Sequence, residues 1–183
     1  KIGFNEDSGG IAASGGTLSN LNALVTAKYS SGLTFNNEAV IITSEEAHVS
    51  IKKCAKILGV EDKNIYIVHT DKNGCMHIPS FIKLLNSLID SGRKIFAVVA
   101  TFGTTIRGAL DPINEIGNIC KEKKIWFHID ASIGGVFLLA NNKFDNINNL
   151  NLCNANSITI NPQKLIGIAK TSSLLLVSDF NTL

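Results

Sequence analysis

The sequence predicts an α/β fold in which a mostly parallel β-sheet carries helices on both faces. The first observation behind this prediction is a series of short apolar runs that alternate with stretches of helical spacing. The second is composition, since the 183-residue chain is 45% hydrophobic and only 17% charged, which is more apolar than an average soluble domain. This bias is typical of a sheet covered on both faces, or of a piece whose apolar surface is buried by segments or partner chains outside it.

The predicted strands are six apolar runs, many of them β-branched, that show no alternation of apolar and polar residues. Runs of this length and composition indicate strands that are buried on both faces. They lie at 39–43, 64–69, 95–101, 125–129, 157–160 and 173–177.

Apolar residues at helical spacing predict helices between the first four strands, at 46–58, 79–91 and 112–123. We expect Asp111 and Pro112 to be the N-cap and the first helical residue of the last of these. Strands that alternate with helices imply right-handed crossovers, and therefore a sheet that is mostly parallel.

The whole chain is expected to be one incomplete domain cut from a longer protein, because it begins without an initiator Met and ends at an arbitrary point. An Asn-rich segment at 141–157 is interpreted as a polar connection with a short helical piece. It is not interpreted as a domain linker, because the strand pattern resumes directly after it.

Composition also argues against several classes of protein. A net charge of +2 without a basic cluster does not indicate a nucleic-acid partner. No run approaches the roughly 18 apolar residues of a membrane span, and no signal-peptide pattern is present. The four cysteines contain no C-x-x-C pair, so neither a zinc site nor a disulfide framework is indicated, and a cytoplasmic protein is expected. They are Cys54, Cys75, Cys120 and Cys153.

Polar side chains follow four of the predicted strands. His48, Thr101, Asp130 and Lys164 come at or just after the ends of different strands. In open α/β sheets, ligands bind beyond the carboxyl ends of the strands. Taken alone, each residue has an ordinary explanation as a structural histidine, a strand-end threonine, a helix cap or a solvated lysine. The coincidence of all four favours a site.

A glycine-rich turn precedes a further predicted helix near the amino terminus. Gly15, Gly16 and Thr17 stand where the backbone N–H groups of a helix start could bind an anion, although the same residues also serve as an ordinary turn and cap. The turn matches neither the Walker A motif nor the G-x-G-x-x-G fingerprint, so a nicotinamide-binding sheet is a weaker alternative.

A phosphate cradle, an acid after one strand and a lysine after another together favour pyridoxal 5′-phosphate as the cofactor. Lys164 could form a Schiff base with the aldehyde, which calls for a partly desolvated amine. Asp130 could pair with the pyridinium nitrogen, so that the ring accepts the electron pair left when a substrate bond breaks.

These residues lie in segments that resemble the group II pyridoxal-phosphate-dependent amino-acid decarboxylases, which act on glutamate, cysteine sulfinate and aromatic amino acids. The resemblance covers nearly the whole chain and leans towards the glutamate and cysteine-sulfinate branch. It rests on "SGGTLSNLNALVTAK", "TSEEAHVSIKKCAKILGV", "VVATFGTTIRGALDPINEIGNICKEKKIWFHIDASIGG" and "ITINPQKLIG".

The resemblance implies a type I aminotransferase-like large domain that works as a homodimer. It also implies catalytic roles for three residues. Lys164 would form the Schiff base, Asp130 would pair with the pyridine nitrogen, and His48 would stack on the ring and help to protonate the substrate carbon.

The remaining cofactor contacts implied by the resemblance fall into two groups. Gly16 and Thr17, with Asn161, would hold the phosphate. Thr105 and Ser132 would line the ring, and the family more often has Ala at the latter position.

One position departs from the family pattern. The family usually has N-P-H-K before and at its lysine, whereas this chain has "NPQK". Gln163 can donate and accept hydrogen bonds but cannot carry charge, so the protonation chemistry is expected to differ. Members of the family are also more than twice as long, so residues 1–183 are expected to be a partial large domain without the small carboxy-terminal domain.

The function expected from the resemblance is the decarboxylation of an amino acid, with acidic substrates favoured. Other pyridoxal-phosphate outcomes stay open, such as a carbon–carbon lyase or a decarboxylation-dependent aldehyde synthase. A catalytically degenerate paralogue that serves as a binding partner is the non-enzymatic alternative.

Overall fold

The apolar runs of the sequence form the strands of a seven-stranded sheet. The computed structural model describes residues 3–139, 150 and 152–183, and the strands in these ranges are β1 (Gly9–Ala13), β2 (Val40–Ser44), β3 (Ile65–Val68), β4 (Ile95–Thr101), β5 (Trp126–Ala131), β6 (Ser157–Ile160) and β7 (Ser173–Val177).

The strand order across the sheet is β1-β7-β6-β5-β4-β2-β3. Neighbours from β3 to β6 pair in parallel. Strand β7 runs antiparallel to β6, and β1 runs antiparallel to β7, so β1 points the same way as the parallel strands. The prediction of a mostly parallel sheet is confirmed, and the carboxyl ends of six strands share one edge.

Four helices cover the two faces of the sheet, as predicted. Helices α1 (Gly16–Ser30) and α2 (Val49–Ile57) pack on one face, where Leu24 and Ile51 contact strand residues such as Val99. Helices α3 (Ile78–Asp90) and α4 (Ile113–Lys123) pack on the other face. The central strands are therefore buried on both sides, which explains their continuous apolar character.

Two strand predictions need correction. Strand β5 extends to Ala131, so Asp130 lies within the strand rather than after it. Strand β1 was not predicted, because its sequence Gly-Gly-Ile-Ala-Ala is poor in strand-forming residues and is only partly buried at the sheet edge.

Helix α1 ends with a buried lysine. The Lys28 side chain is only 2% exposed, and its ammonium group donates a hydrogen bond of 2.8 Å to the carbonyl oxygen of Leu58 at the end of α2. Burial lowers the pKa of this lysine. Val25, an apolar residue of the same helix, is exposed. Helix α1 thus packs through a face that its sequence pattern does not mark clearly.

The predicted start of α4 is wrong in detail. Pro112 is the N-cap, and the Asp111 carboxylate forms hydrogen bonds outside this helix. Its buried carboxylate accepts hydrogen bonds from the backbone N–H of Thr101 at 2.7 Å and of Met76 at 2.6 Å. Desolvation raises the pKa of Asp111 to about 6, although both hydrogen bonds favour the charged form. Asp111 therefore ties the end of β4 to the segment before α3.

Only part of the Asn-rich segment can be compared with its prediction. A 3₁₀ helix at Leu152–Asn154 agrees with the expected short helical piece. The rest of the prediction, at 141–149 and 151, lies outside the described residues. Among the residues that are described, no helix is both long and apolar enough to cross a membrane.

We predict that Asp111→Asn lowers the free energy of unfolding of the full-length protein by about 1–3 kcal/mol at pH 7. An amide offers one acceptor and one donor, so one buried backbone N–H would lose its partner and face an NH₂ group. The measurement is urea unfolding, in which the midpoint should fall at constant slope.

Asp90→Asn is the matched control, because Asp90 is exposed at the end of α3. Equal stability losses in both variants would contradict the role given to Asp111.

Candidate functional site

A cavity of about 540 Å³ opens at the edge where the parallel strands end. Seven of the nine site residues predicted from the sequence line it, and the exceptions are Asp130 and Thr105. The lining residues are Ser14, Gly15, Gly16, Thr17, Leu18, Asn20, Leu21, His48, Ser50, Cys54, Ile57, Ser132, Asn161, Gln163 and Lys164.

Asp130 is buried directly behind this lining and is 3% exposed. One carboxylate oxygen accepts a hydrogen bond of 2.9 Å from the Asn20 amide, and the other accepts one of 3.1 Å from the backbone N–H of Ser132. Its neighbours in register on β4 and β6 are Thr101 and Thr159, whose buried hydroxyls have no partner within the described chain. The acid is thus fixed among polar groups in the middle of the sheet.

The first turn of α1 borders the cavity with backbone N–H groups. The N-cap Gly15 supplies no side-chain hydrogen bond, and the backbone N–H groups of Gly16 and Thr17 have no acceptor among the described residues. A β-carbon at position 16 would lie 2.7 Å from the Ser132 hydroxyl oxygen and 2.8 Å from the Asn161 amide nitrogen. A β-carbon would displace these two side chains, so glycine suits this close approach of α1 to the residues that follow β5 and β6.

Asn161 adds a further polar group beside this turn. It directly follows β6 and is 2% exposed, and its buried Oδ1 has no hydrogen-bond partner in the described chain. Helix N–H groups without acceptors are a feature expected of a phosphate site, and the Asn161 amide nitrogen, which lies beside Gly16, adds a donor to them. The cradle predicted from Gly16, Thr17 and Asn161 is thus brought together in space.

His48 is the N-cap of α2, which begins at Val49. Its Nδ1 accepts a hydrogen bond of 3.2 Å from the backbone N–H of Ser50 and lies 2.8 Å from the Ser50 hydroxyl oxygen. Because Nδ1 is an acceptor, the neutral ring carries its proton on Nε2. The capping role therefore fixes the tautomer of a residue that lines the cavity.

Lys164 lies in a turn that follows β6, with its backbone N–H bonded to the carbonyl oxygen of Asn161 at 3.0 Å. Its side chain lines the cavity but is exposed, so the expected desolvation of the amine is not found in the described chain. The whole segment 164–171 is exposed. Gln163, beside it, accepts a hydrogen bond of 2.8 Å from the backbone N–H of Ser172 and so closes the loop at 161–172. A neutral acceptor is sufficient for that contact.

Thr105 is the predicted site residue that the structure does not bring to the cavity. It is exposed in the turn after β4. Its neighbour Thr104 is buried instead, and the Thr104 hydroxyl accepts a hydrogen bond of 3.0 Å from the backbone N–H of Ala109. A contact between Thr105 and a bound ring stays a prediction.

A group of buried and half-buried polar residues around Asp130 was missed by sequence reasoning. Its members are connected by hydrogen bonds and are Asn20, Ser50, Trp126, His128 and Ser157. One signal was available, because residues two apart in a strand face the same side and His128 precedes Asp130 by two. No sequence pattern could show that Asn20, far away in the chain, lies above both.

His128 is fully buried and neutral. Desolvation lowers its pKa to about 4, and the nearby Asp130 carboxylate opposes this shift. Its Nε2 lies 3.1 Å from the side-chain oxygen of Asn20, and its Nδ1 lies 2.8 Å from the Ser157 hydroxyl. An amide oxygen only accepts, so Nε2 must carry the proton.

Comparison with known proteins identifies the family. A family model described as "Pyridoxal-dependent decarboxylase conserved domain" matches residues 2–183. The chain belongs to this family. The cofactor of this decarboxylase domain is therefore pyridoxal 5′-phosphate, as predicted, and the acceptor-free helix N–H groups beside the cavity lysine fit it.

Curated relatives and solved structures agree with this identification. "Acidic amino acid decarboxylase GADL1" from Xenopus tropicalis is 36% identical over 97% of this chain. The human protein of the same name is 35% identical over 97%. The crystal structure of mouse CSAD has a TM-score of 0.91 and 32% identity over the whole chain. The fold class predicted from the resemblance is confirmed.

The decarboxylase domain described here is only part of the length of these proteins. The chain covers 36% of the Xenopus relative, 35% of the human one and 39% of the mouse CSAD chain. The activity, substrate and partners of the whole protein are therefore matters for proposal.

We predict that His128 makes a destabilising contribution to the full-length apoprotein as the pH falls from about 6.5 to about 4, and that it appears as the difference from His128→Gln, because Asp111, with its pKa raised to about 6, acts in the opposite sense. The unfolded chain binds a proton to His128 near pH 6.5, whereas the folded protein binds it only near pH 4. The unfolded state therefore holds more protons in this window, and acidification favours it by up to about 3 kcal/mol. The measurement is urea unfolding at a series of pH values.

His128→Gln should be less stable at pH 7 but should lose less stability across that window. His77→Gln removes an exposed imidazole at the start of α3 and is the matched control. A slope that changes equally in both variants would contradict the assignment to His128.

Proposed function

We propose that the protein containing this chain removes the α-carboxyl group of an amino acid, with pyridoxal phosphate held in the cavity at the edge of the sheet. In this proposal residues 1–183 form part of a cofactor-binding large domain. The observation that carries it is that one cavity is lined by a lysine and by a helix N-terminus without acceptors, and that a buried carboxylate lies behind this lining, bonded to the lining residues Asn20 and Ser132.

Phosphate binding is assigned to the first turn of α1. The backbone N–H groups of Gly16 and Thr17 would donate to the phosphate, supported by the helix dipole. Asn161 would donate from its amide nitrogen, which lies on the side of Gly16. Ser132 lies against Gly16 and would border the same group. Gln163 would keep the loop of Lys164 closed through its bond to Ser172.

Lys164 is assigned the covalent contact. It lines the cavity from the turn after β6, and its amine would bind the aldehyde carbon of the cofactor, give way to the substrate amine and later release the product. A bound cofactor would also cover this side chain, which is otherwise exposed.

Asp130 and His48 are assigned the two remaining tasks. Bound pyridoxal phosphate supplies an electron sink for the pair left when the bond to the carboxylate breaks. Asp130 would keep the ring nitrogen protonated, as its donors Asn20 and Ser132 favour an ionised carboxylate. His48 would pack on the ring and deliver a proton to the substrate carbon from Nε2, because its Nδ1 is engaged by Ser50.

An acidic amino acid is the proposed substrate class. The support is that relatives named acidic amino acid decarboxylase match 97% of this chain at 35–36% identity. We also propose that the full-length protein is a homodimer. Support comes from the apolar side chains beside Lys164, since Leu165, Ile166 and Ile168 are about half exposed. A cytoplasmic location is part of the proposal and rests on the sequence.

A second outcome is favoured by one comparison. Rhodiola rosea 4-hydroxyphenylacetaldehyde synthase has a TM-score of 0.90 and 25% identity to this chain. Incubating the full-length protein with glutamate, aspartate and cysteine sulfinate, and measuring carbon dioxide, amine, ammonia and aldehyde, separates the two. Amine without aldehyde supports decarboxylation. A protein that stays colourless with pyridoxal phosphate supports a degenerate paralogue instead.

We predict that Lys164→Ala in the full-length protein abolishes the visible absorbance of the bound cofactor. It should also reduce turnover by at least about 10³-fold, which corresponds to about 4 kcal/mol of barrier. The reason is that no other group would hold the aldehyde. Absorbance spectra and initial rates of carbon dioxide release are the measurements.

Lys170→Ala is the control, because Lys170 is an exposed lysine of the same loop. Activity that survives Lys164→Ala would refute the assignment.

Asp130→Ala is predicted to weaken cofactor binding and to lower turnover by about 10²-fold or more, on the scale of losing one preorganised electrostatic group. A neutral side chain cannot hold the ring nitrogen in its protonated form. Cofactor affinity by fluorescence titration and steady-state rates test this. An unchanged rate would rule out the electron-sink role.

A further inference from the structure

Asn20 stands at the junction between the buried acid and the histidine of the cavity. We propose that Asn20 is a positioning residue whose single amide couples Asp130 to His48, so that the ring nitrogen and the ring face are held by one hydrogen-bonded unit. This inference rests on the proposed function and adds a residue to it. Asn20 is 1% exposed and lies on the second turn of α1.

Both ends of the Asn20 amide are used. The nitrogen donates to Asp130 at 2.9 Å and to the Ser50 hydroxyl at 3.2 Å, which uses both of its hydrogens. The oxygen accepts from Nε2 of His128 at 3.1 Å. No other group in the described chain bridges Asp130 and Ser50.

The donor and the acceptor of each hydrogen bond from Trp126 to Asn20 follow from the atoms that can carry a hydrogen. The indole N–H of Trp126 can only donate, and it donates to the Ser157 hydroxyl at 2.9 Å. That hydroxyl therefore offers its own hydrogen to Nδ1 of His128, 2.8 Å away, and the neutral ring donates onward from Nε2. The Asn20 amide is held in one orientation, with its NH₂ group towards the acid.

The hydrogen bonds from Asn20 to the cavity run in the same direction of donation. Ser50 accepts from Asn20, which leaves the hydroxyl hydrogen of Ser50 for Nδ1 of His48, 2.8 Å away. The chain of bonds therefore runs one way from Trp126 to His48. Bonds aligned in this manner strengthen one another in a low-dielectric interior.

Only an amide serves all these partners. Leucine has the same branched outline and the same number of side-chain heavy atoms but no donor, so Asp130 would lose the hydrogen bond from position 20. Aspartate could not donate and would place a second carboxylate beside Asp130. The residue type at position 20 thus follows from its three neighbours.

The test uses the full-length protein with Asn20→Leu, loaded with pyridoxal phosphate labelled with ¹⁵N in the ring. The ¹⁵N chemical shift reports whether the ring nitrogen is protonated. We expect the visible absorbance of bound cofactor to remain, because Lys164 is intact. The ring resonance should move towards the neutral form, and kcat should fall about tenfold or more, with KM changed less than about twofold.

Asn22→Leu is the matched control on the same helix. Asn22 is half-buried, and no hydrogen bond of its side chain is found in the described chain. This variant should keep the wild-type ring resonance, and its kcat should stay within about twofold.

Ser50→Ala tests the second half of the coupling and removes only one oxygen atom. It should leave the ring resonance unchanged, because Asn20 still donates to Asp130. It should lower kcat by about threefold to tenfold, because His48 loses a partner. This variant remains informative if Asn20→Leu fails to fold.

The outcomes separate this inference from the proposed function. A wild-type ring resonance and kcat in Asn20→Leu would overturn the positioning role, and so would a lowered melting temperature with no change in either. An unaltered kcat in Ser50→Ala would overturn the coupling to His48. Asp130→Ala tests the proposed function separately. A wild-type protein that takes up no cofactor would overturn both.

Discussion

The burial of the Asp130 carboxylate determines which polar groups must surround it in the fold. A charge taken out of water must be hydrogen-bonded, since an isolated ionised carboxylate in an apolar interior is very costly. Asp130 sits in the central strand β5 and is 3% exposed, so its donors must come from neighbouring backbone and from helix α1. Ser132 and Asn20 supply them. The polar residues on the α1 side of the sheet follow from this requirement.

Helix α1 carries two residues that matter for the site on one face: Asn20, which donates to Asp130, and Gly16 in the first turn. Gly16 and Asn20 are four residues apart, so they lie one above the other on the helix surface. The missing side chain of Gly16 lets the first turn rest against Ser132 and Asn161, and this approach sets the helix where Asn20 meets Asp130. A larger residue at position 16 would move both the proposed phosphate site and the partner of the acid. One helix thus connects the proposed phosphate site to the carboxylate that we assign to the ring nitrogen.

Local sequence patterns predicted most of the strands and helices. They failed where contacts between distant residues determine the structure. The runs at 95–101 and 157–160 form strands with the predicted bounds because central strands are apolar throughout, and the run at 173–177 also keeps its predicted bounds although Leu174 is exposed. Strand β1 was not predicted, because Gly-Gly-Ile-Ala-Ala forms a strand only by pairing with β7. Asp111 looked like a helix cap, but its carboxylate serves the backbone of Thr101 and Met76.

The sequence by itself determined the alternation of strands and helices, the family resemblance and seven of the residues that line the cavity, because these depend on local spacing and on motifs. Only the tertiary structure decided the exposed position of Thr105, the contact of Gln163 with Ser172, and the polar group built on Asn20 and His128. Contacts between residues more than one hundred positions apart leave no periodic trace in a sequence. They form because a buried charge must be hydrogen-bonded, and folding brings donors such as Asn20 within hydrogen-bond distance of it.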